Sequence, residues 1–257
     1  MLLRDSVRGF FAKQLRLPLH MAIRDHKQRF AHSTLGTLWS PLSVLLTSLV
    51  MSVVWATIFK LDLSSFMPFV LTGNAAWSFL SGSLGEAPSH IASSRGLLVN
   101  MRGGADVATL ITIIRNVINS ATSIVVALLV TSMFKAPTPW LLLVPIIYLL
   151  MILTLYPYVY LIGVFGVYVR DLEQFFPTVL LVFYMTTPIL FSIEQLGSLA
   201  RFVRFSPFYV LVSSLREPML GGRPSTLSIC LVFLYLVIGW AVLGRVRPKL
   251  ANFKLLL

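Results

Sequence analysis

The sequence contains few charged residues and a single cysteine. Charged side chains make up 12% of the 257 residues, whereas 57% are hydrophobic and the mean hydropathy is +0.85. A chain with so little polar surface cannot cover a soluble globule, and its apolar runs repeatedly reach the length that crosses a bilayer. Cys230 has no second cysteine with which to form an intrachain disulfide. The composition therefore predicts a polytopic membrane protein with an all-α fold.

Motifs for catalysis and metal binding are also missing. No glycine is followed by lysine, so the sequence has no phosphate-binding loop of the GxxxxGK type. The four histidines form no HExxH pattern and have no cysteine companions. Carboxylates are almost absent from the apolar runs, where a proton-coupled carrier would place them. We therefore expect no catalytic residue, no metal site and no cofactor in this chain, and we do not expect an enzyme.

The formal net charge of +12 does not by itself indicate a nucleic-acid partner. Basic residues beside apolar spans are typical of membrane orientation and of contact with anionic lipid headgroups. No nucleic-acid recognition motif accompanies the charge. We therefore expect membrane lipids, and not nucleic acid, as its partners.

Six apolar segments are predicted to span the membrane and to form a transmembrane domain over residues 38–244. They cover roughly residues 38–59, 66–84, 107–134, 140–167, 175–191 and 226–244. An even number of spans places both termini on one side, and the segments assigned to that side hold fourteen of the 21 Lys and Arg residues. The positive-inside rule then predicts that both termini are cytoplasmic, with residues 245–257 as a basic tail.

Residues 1–37 are predicted to remain on the cytoplasmic side. They hold seven of the 21 Lys and Arg residues and no apolar stretch long enough for a signal-peptide core. Leu3, Val7, Phe10 and Phe11 share one face at helical spacing, which predicts an amphipathic helix lying in the membrane interface. A solvated basic tail is the alternative.

Two polar or interrupted segments separate the predicted spans. Residues 86–106 form the longest polar interruption in the first half of the chain, and residues 89–100 can form a short amphipathic helix bounded by Pro88 and Gly103-Gly104. Residues 194–223 contain two short apolar stretches, 199–205 and 207–220. Runs this short indicate helices that either re-enter the membrane or lie on its surface.

Hydroxyl and aromatic side chains occur inside several predicted spans, including Trp77 in the second and Tyr184 in the fifth. Such residues suit a pathway for sugars, whose apolar ring faces stack on aromatic planes and whose hydroxyls need hydrogen-bond partners. Ser and Thr are also common at packed helix interfaces, and Trp and Tyr at membrane surfaces. The residue types leave both interpretations open.

A series of short motifs follows a fixed order along the chain. They are Arg24-Asp25, Lys27, Arg29-Phe30, Leu35-Gly36, Leu38-Trp39, Gly73, Trp77, Gly96-Leu97-Leu98, Arg115-Asn116, Arg170-Asp171-Leu172, Thr187-Pro188-Ile189, Ser206-Pro207, Arg216, Pro218 and Gly221. In this order and spacing the chain resembles the membrane subunits of bacterial ABC exporters for cell-surface polysaccharides, the group that includes O-antigen, capsule and teichoic-acid export permeases.

The resemblance implies a transport subunit without its own ATPase site. Two copies would form a channel through the inner membrane, and two copies of a separate ATPase would bind ATP and Mg. The expected substrate is a polysaccharide such as lipid-linked O-antigen. Within the superfamily, the alternative substrates are capsule polysaccharide, teichoic acid, a lipid or a drug. The remaining alternative function is that of an ion-coupled or proton-coupled carrier.

The resemblance also implies three groups of site residues. The segment 86–106 becomes the coupling loop, which carries a cytoplasmic coupling helix, and contacts to the ATPase are expected at Glu86, Pro88, Ser89, His90, Arg95, Arg102, Arg170 and Asp171. The candidates for lining the channel are Trp39, Trp77, Phe79, Phe183, Tyr184 and Thr187. The candidates for a periplasmic gate are Pro188 and, within the predicted re-entrant segment 194–223, Ser206, Pro207 and Arg216. Ordinary inside-positive charge is the alternative for Arg95 and Arg102, and a local helix cap is the alternative for Asp171.

Overall fold

The computed structural model describes residues 16–28, 33–94 and 104–250, and within these ranges the chain is helical without strands. The α-helices in chain order are α1 (16–28), α2 (Trp39–Phe59), α3 (Leu63–Gly85), α4 (Ala87–Ser93), α5 (Gly104–Phe134), α6 (Val144–Tyr168), α7 (Leu172–Thr186), α8 (Ala200–Val203), α9 (Pro207–Met219) and α10 (Thr226–Val246). Short 3-10 helices occupy Gly36–Leu38, Pro139–Leu143, Ile193–Leu199 and Arg247–Leu250. The predicted N-terminal interfacial helix lies mostly outside the described residues.

Four segments of the described chain are long and apolar enough to cross a membrane. They are Gly36–Phe59, Gly104–Phe134, Pro139–Tyr168 and Thr226–Val246, which correspond to the first, third, fourth and sixth predicted spans. The predicted class, an all-α polytopic membrane protein, is therefore confirmed. The count of six spans stays a prediction, because α3 and α7 do not meet the same criteria of length and composition.

Helix α3 lies at the centre of the described bundle. It contacts α2, α5, α6, α7 and α9, and every side chain from Val70 to Trp77 is buried. Because these neighbours cover it, α3 can carry polar residues such as Thr72 and Asn74 without exposing them to lipid. Lipid tails are as apolar as leucine, so van der Waals contact and interhelical hydrogen bonds stabilise this packing, not the release of water.

Helix α7 ends earlier than the sequence predicts. The fifth span was predicted over 175–191, whereas α7 has 15 residues and ends at Thr186. The reason is Pro188, which disfavours a helical conformation at the preceding residue, and Thr187 is accordingly extended with ψ 131°. Fifteen helical residues rise only about 22 Å, which is less than the ~30 Å hydrocarbon core of a bilayer.

The segment after α7 folds into short helices. The 3-10 helix Ile193–Leu199 leads into α8, and α9 starts at Pro207 immediately after Ser206. The two halves differ in burial: Phe202 of α8 is 75% exposed, whereas most side chains of α9 are buried against α3, α6 and α10. Re-entry of this segment into the membrane stays a prediction.

Helices α4 and α6 approach closely because α6 has glycines where they meet. A methyl group at Gly166 would overlap the backbone carbonyl of Pro88, and one at Gly163 would overlap the imidazole of His90. The two helices can therefore lie side by side only while these positions have no side chain. This close approach fixes α4 to one of the four long apolar segments.

We predict that Gly166→Ala lowers the free energy of unfolding by about 1–3 kcal/mol, because the methyl group must push the two helices apart. The matched control is Gly244→Ala in α10, where an added methyl group meets nothing within 4 Å. That change should be neutral or stabilise the helix by up to about 1 kcal/mol. Thermal unfolding of both purified variants in one detergent measures the difference. Equal melting temperatures for the two variants would contradict the close contact.

Candidate functional site

Helix α4 lies in the segment 86–106, which is predicted to be the coupling loop, and its buried face attaches it to α5 and α6. Ala87, Pro88, His90 and Ile91 are buried. The imidazole of His90 lies with Nδ1 2.7 Å from the carbonyl oxygen of Ala87 and with Nε2 3.0 Å from Oγ1 of Thr109 in α5. Burial away from water lowers the pKa of His90 to about 4, so this ring is uncharged at neutral pH. His90 is therefore an internal attachment of α4 and not a cationic surface contact.

The carboxylate of Glu86, at the junction of α3 and α4, binds two neighbouring side chains of α5. Its Oε2 accepts hydrogen bonds from Nη2 of Arg115 at 2.5 Å and from Nδ2 of Asn116 at 2.9 Å. The backbone carbonyl of Glu86 accepts the N–H of His90 at 3.1 Å, which closes the first turn of α4. Glu86 thus closes the first turn of α4 with its backbone carbonyl and binds α5 with its side chain, so it links the two helices.

Arg115 also reaches helix α1. Its Nη1 lies 3.8 Å from a carboxylate oxygen of Asp25, which is 42% exposed. The contact from Arg115 to Glu86 is shorter, and the side chain of Glu86 is 31% exposed, which is less than that of Asp25. The side chain of Arg115 itself is 23% exposed. The guanidinium therefore joins α1, the α3–α4 junction and α5, with its stronger interaction toward Glu86.

A polar pocket of about 730 Å³ opens beside this cluster, between α1, α4 and α5. Its walls combine carboxylates, hydroxyls and the Arg115 guanidinium. The residues that line it are Met21, Asp25, Gln28, Glu86, Ser89, His90, Ser93, Ser94, Ala108, Ile111, Thr112 and Arg115. Three of the predicted coupling residues, Glu86, Ser89 and His90, therefore meet at one pocket.

The other predicted coupling residues are separate from this pocket. Pro88 is buried against α6, and Arg95 and Arg102 lie outside the described residues, as does the predicted helix beyond residue 94. Arg170 and Asp171 are exposed in the turn between α6 and α7. Asp171 precedes α7, but its side chain makes no capping hydrogen bond, so the structure does not support the alternative of a local side-chain cap.

Sequence reasoning assigned no coupling role to Arg115. Arg115 was predicted only to be part of a family motif, together with Asn116. An arginine beside an asparagine inside an apolar helix was the available signal, because ionisable residues in spans usually have a partner and a function. The partner could not be identified from sequence, because Glu86 is 29 residues away and contacts Arg115 only through the pairing of α3 with α5.

A second site is a groove of about 610 Å³ between α2, α3 and α7. Its lining includes Trp77, Ser78 and Ser81 of α3 and Tyr184 of α7, and no charged residue among the side chains assigned to it. The rings of Trp77 and Tyr184 lie 5.5 Å apart and are tilted by 53°. The groove therefore presents hydroxyl groups next to aromatic faces.

A chain of hydrogen bonds joins the three helices that form the groove. The hydroxyl of Tyr184 donates to Oδ1 of Asn74 at 2.9 Å, and Nδ2 of Asn74 donates to Oγ of Ser48 at 2.9 Å. Ser48 in turn donates to the carbonyl of Val44 within α2. This polar chain links α7, α3 and α2 in a region where water is scarce, so it fixes their relative positions.

Only Trp77 and Tyr184 of the six predicted channel residues line this groove. Phe79 is fully buried in the core against Tyr148, and Thr187 is buried with its hydroxyl bound to the carbonyl of Phe183. Phe183 stacks on Phe208 of α9 at 4.3 Å, and Trp39 is exposed at the start of α2. Both Phe79 and Thr187 face the interior of the chain, and the channel lining as a set of six residues stays a prediction.

Two of the four predicted gate residues, Arg216 and Pro188, are in contact, and the other two, Ser206 and Pro207, lie at the start of α9. Nη1 of Arg216 in α9 donates to the carbonyl of Pro188 at 2.7 Å, and its guanidinium lies 4.0 Å from the ring centre of Phe69 in α3. Arg216 is buried and thereby ties α9 to α3 and to the end of α7. Ser206 precedes α9 without a capping side-chain hydrogen bond, and Pro207 is its first residue.

Comparison with known proteins gives a family and several relatives. Residues 2–220 match the model of the family described as ABC-2 type transporter. The O-antigen export system permease protein RfbA of Myxococcus xanthus is 25% identical over 181 residues, which cover 70% of each chain. A protein of the same name from Klebsiella pneumoniae is 19% identical over 236 residues, covering 89% of this chain and 91% of the relative. Since the family match extends over most of the sequence, the chain belongs to the ABC-2 type transporter family.

Proposed function

We propose that this chain is the membrane subunit of an ATP-driven exporter that moves a polysaccharide, lipid-linked O-antigen, across the inner membrane. Membership of the ABC-2 type transporter family makes it a transport component that works in a membrane with an ATPase partner. The names of its relatives, O-antigen export system permease proteins, support the choice of substrate. The observation in the structure that carries the proposal is the uncharged groove between α2, α3 and α7.

The chemistry of the groove suits a sugar chain. The apolar face of a pyranose ring packs on an aromatic plane such as that of Trp77, and the ring hydroxyls need donors and acceptors such as Ser78 and Ser81. A wall of neutral side chains binds each sugar weakly, so a long chain can slide along it. Charged side chains in a low-dielectric groove would instead hold individual groups tightly.

A second copy of the chain completes the conduit. The groove is open along one side, and α7 beside it has only Leu180 buried while Leu181, Val182 and Met185 are exposed. A polysaccharide cannot slide along a groove that is open to lipid, because its hydroxyls would lose their hydrogen-bond partners. Two copies related by a twofold axis would place two such grooves face to face.

The energy for export comes from two copies of a separate ATPase, which bind ATP and Mg on the cytoplasmic side. Both termini of this chain lie on that side, together with α1, α4 and the turn at Arg170. Closure of the ATPases displaces the coupling loop, and α4 carries this displacement to α5 through Glu86 and Arg115 and to α6 through the close contact at Gly166. The chain itself needs no nucleotide site.

Deletion of the gene tests the function as a whole. We expect loss of O-antigen polysaccharide from the cell surface and accumulation of the lipid-linked glycan inside the cell, because synthesis continues without export. Electrophoresis of surface and intracellular glycan measures both. An unchanged surface glycan in the deletion strain would contradict the proposed substrate.

Glu86→Gln tests the path from the ATPase to the bundle. Glutamine keeps the size of the side chain but removes the charge that holds Arg115, so we expect polysaccharide export per ATP hydrolysed to fall about fivefold or more. The control is Asp25→Asn, which removes the more distant and more exposed partner of Arg115 and should have little effect. The measurement is export and ATP hydrolysis by the reconstituted complex. Equal export per ATP in both variants would argue against this path.

Ser81→Trp tests the groove. The indole ring would fill space that the sugar chain needs, so we expect export to be largely lost while the protein still accumulates in the membrane. The control is Val125→Trp on the exposed face of α5, outside the groove, which should export normally. Surface glycan and membrane protein level are measured in the same strains. Normal export by Ser81→Trp would place the pathway elsewhere.

A further inference from the structure

The far end of the coupling loop is held by a second acidic residue. Asp106 lies in the first turn of α5. Its Oδ1 accepts a hydrogen bond from the hydroxyl of Tyr156 in α6 at 2.9 Å, and its Oδ2 pairs with Nη2 of Arg247 at 2.7 Å. Arg247 follows directly after α10. One carboxylate therefore joins the start of α5 to α6 and to the end of α10.

Several close contacts hold α6 and α10 together near this carboxylate. The rings of Tyr156 and Trp240 stack at 5.4 Å with an interplanar angle of 9°. Nε1 of Trp240 donates to the carbonyl of Leu153 at 3.1 Å. Gly239 of α10 lies against Pro157, so closely that a methyl group there would overlap the proline ring. Tyr156 is thus held in place from the α10 side while it binds Asp106.

The same region touches α4. Ile91 of α4 is buried in one apolar cluster with Tyr160 and Val164 of α6 and with Leu243 of α10. The last turns of α10 therefore share an apolar cluster with α4 and are joined to the start of α5 by the Arg247–Asp106 pair. A displacement of the loop can reach α10 through the cluster and through the ion pair.

The Arg247–Asp106 pair is better suited to fixing the relative position of α5 and α10 than to raising the free energy of unfolding. The side chain of Asp106 is 19% exposed, but that of Arg247 is 54% exposed. An ion pair with one partner this accessible to solvent adds little to the free energy of folding. Its short and specific geometry nevertheless fixes where the start of α5 lies relative to the end of α10. The first turn of α5 also favours a carboxylate, because the helix dipole is positive there.

We propose that Asp106 and Arg247 are positioning residues that pass the movement of the coupling loop to α10. The inference rests on the proposed function. The coupling loop has an acid–arginine pair at each end. Glu86 with Arg115 connects its beginning to α5, and Asp106 with Arg247 connects its end to the C-terminal end of α10. Loop movement is therefore delivered to two membrane helices that do not follow one another in the chain.

The test compares three variants in the reconstituted complex with its ATPase. Arg247→Glu reverses the charge and repels Asp106, so polysaccharide export per ATP hydrolysed should fall about fivefold or more. Arg247→Lys keeps the charge and should retain most of the coupling. Arg245→Glu makes the same charge change two residues earlier, at an exposed position in the last turn of α10, and should behave like the wild type. Melting temperatures of all three should remain close to that of the wild type.

A double-mutant cycle with neutral substitutions covers the case in which Arg247→Glu fails to assemble. If the two residues act as one unit, Asp106→Asn, Arg247→Gln and the double variant share the same loss of export per ATP. Additive losses would overturn the proposal, as would a normal Arg247→Glu or an equal loss in Arg245→Glu. Absence of polysaccharide export by the wild-type complex would instead contradict the proposed function and not the pairing.

Discussion

The interaction between Glu86 and Arg115 attaches the segment predicted to be the coupling loop to the long helix α5. It lies where α3 passes into α4, and it is supported on one side by Asn116 and on the other by Asp25 of α1. Without it, α4 would be joined to the bundle by apolar contacts and by the neutral hydrogen bond between His90 and Thr109 of α5, which fix the register of the α3–α4 junction on α5 less firmly. A charge-assisted hydrogen bond between partly buried groups adds that register.

The remaining contacts follow from the shortage of water inside a membrane protein. Since burial from lipid gives little hydrophobic stabilisation, the helices are held by close approach and by polar groups that satisfy one another. Glycines bring α6 against α4 and α10, and the chain from Tyr184 through Asn74 to Ser48 joins the three helices of the groove. Arg216 has the same role at the end of α7, where it binds the carbonyl of Pro188. Each of these contacts sits where a helix is interrupted or where two helices come close.

The class and most helix positions could be predicted from the sequence, because hydropathy depends on residues close together in the chain. The family was predicted from the resemblance carried by the ordered series of motifs. The length of α7 could not, since the apolar residues after Pro188 continue the hydropathy pattern past the helix end. Trp77 and Phe79 show a second limit: two residues apart on one helix, they point to different sides, and only the packing shows which side is the groove. The role of Arg115 depended on a pairing between α3 and α5 that no local pattern contains.

The central claim is that α4 and α5 move together when the ATPase closes. Spin labels at Ser93 in α4 and Ser132 in α5, both exposed, allow this to be measured by pulsed electron paramagnetic resonance on the complex without nucleotide and with trapped ATP. The account predicts that the distance from Ser93 to Ser132 within one copy stays constant, while the distance between the two Ser132 labels of the paired copies changes. A changed distance within the copy, together with a constant distance between copies, would contradict it.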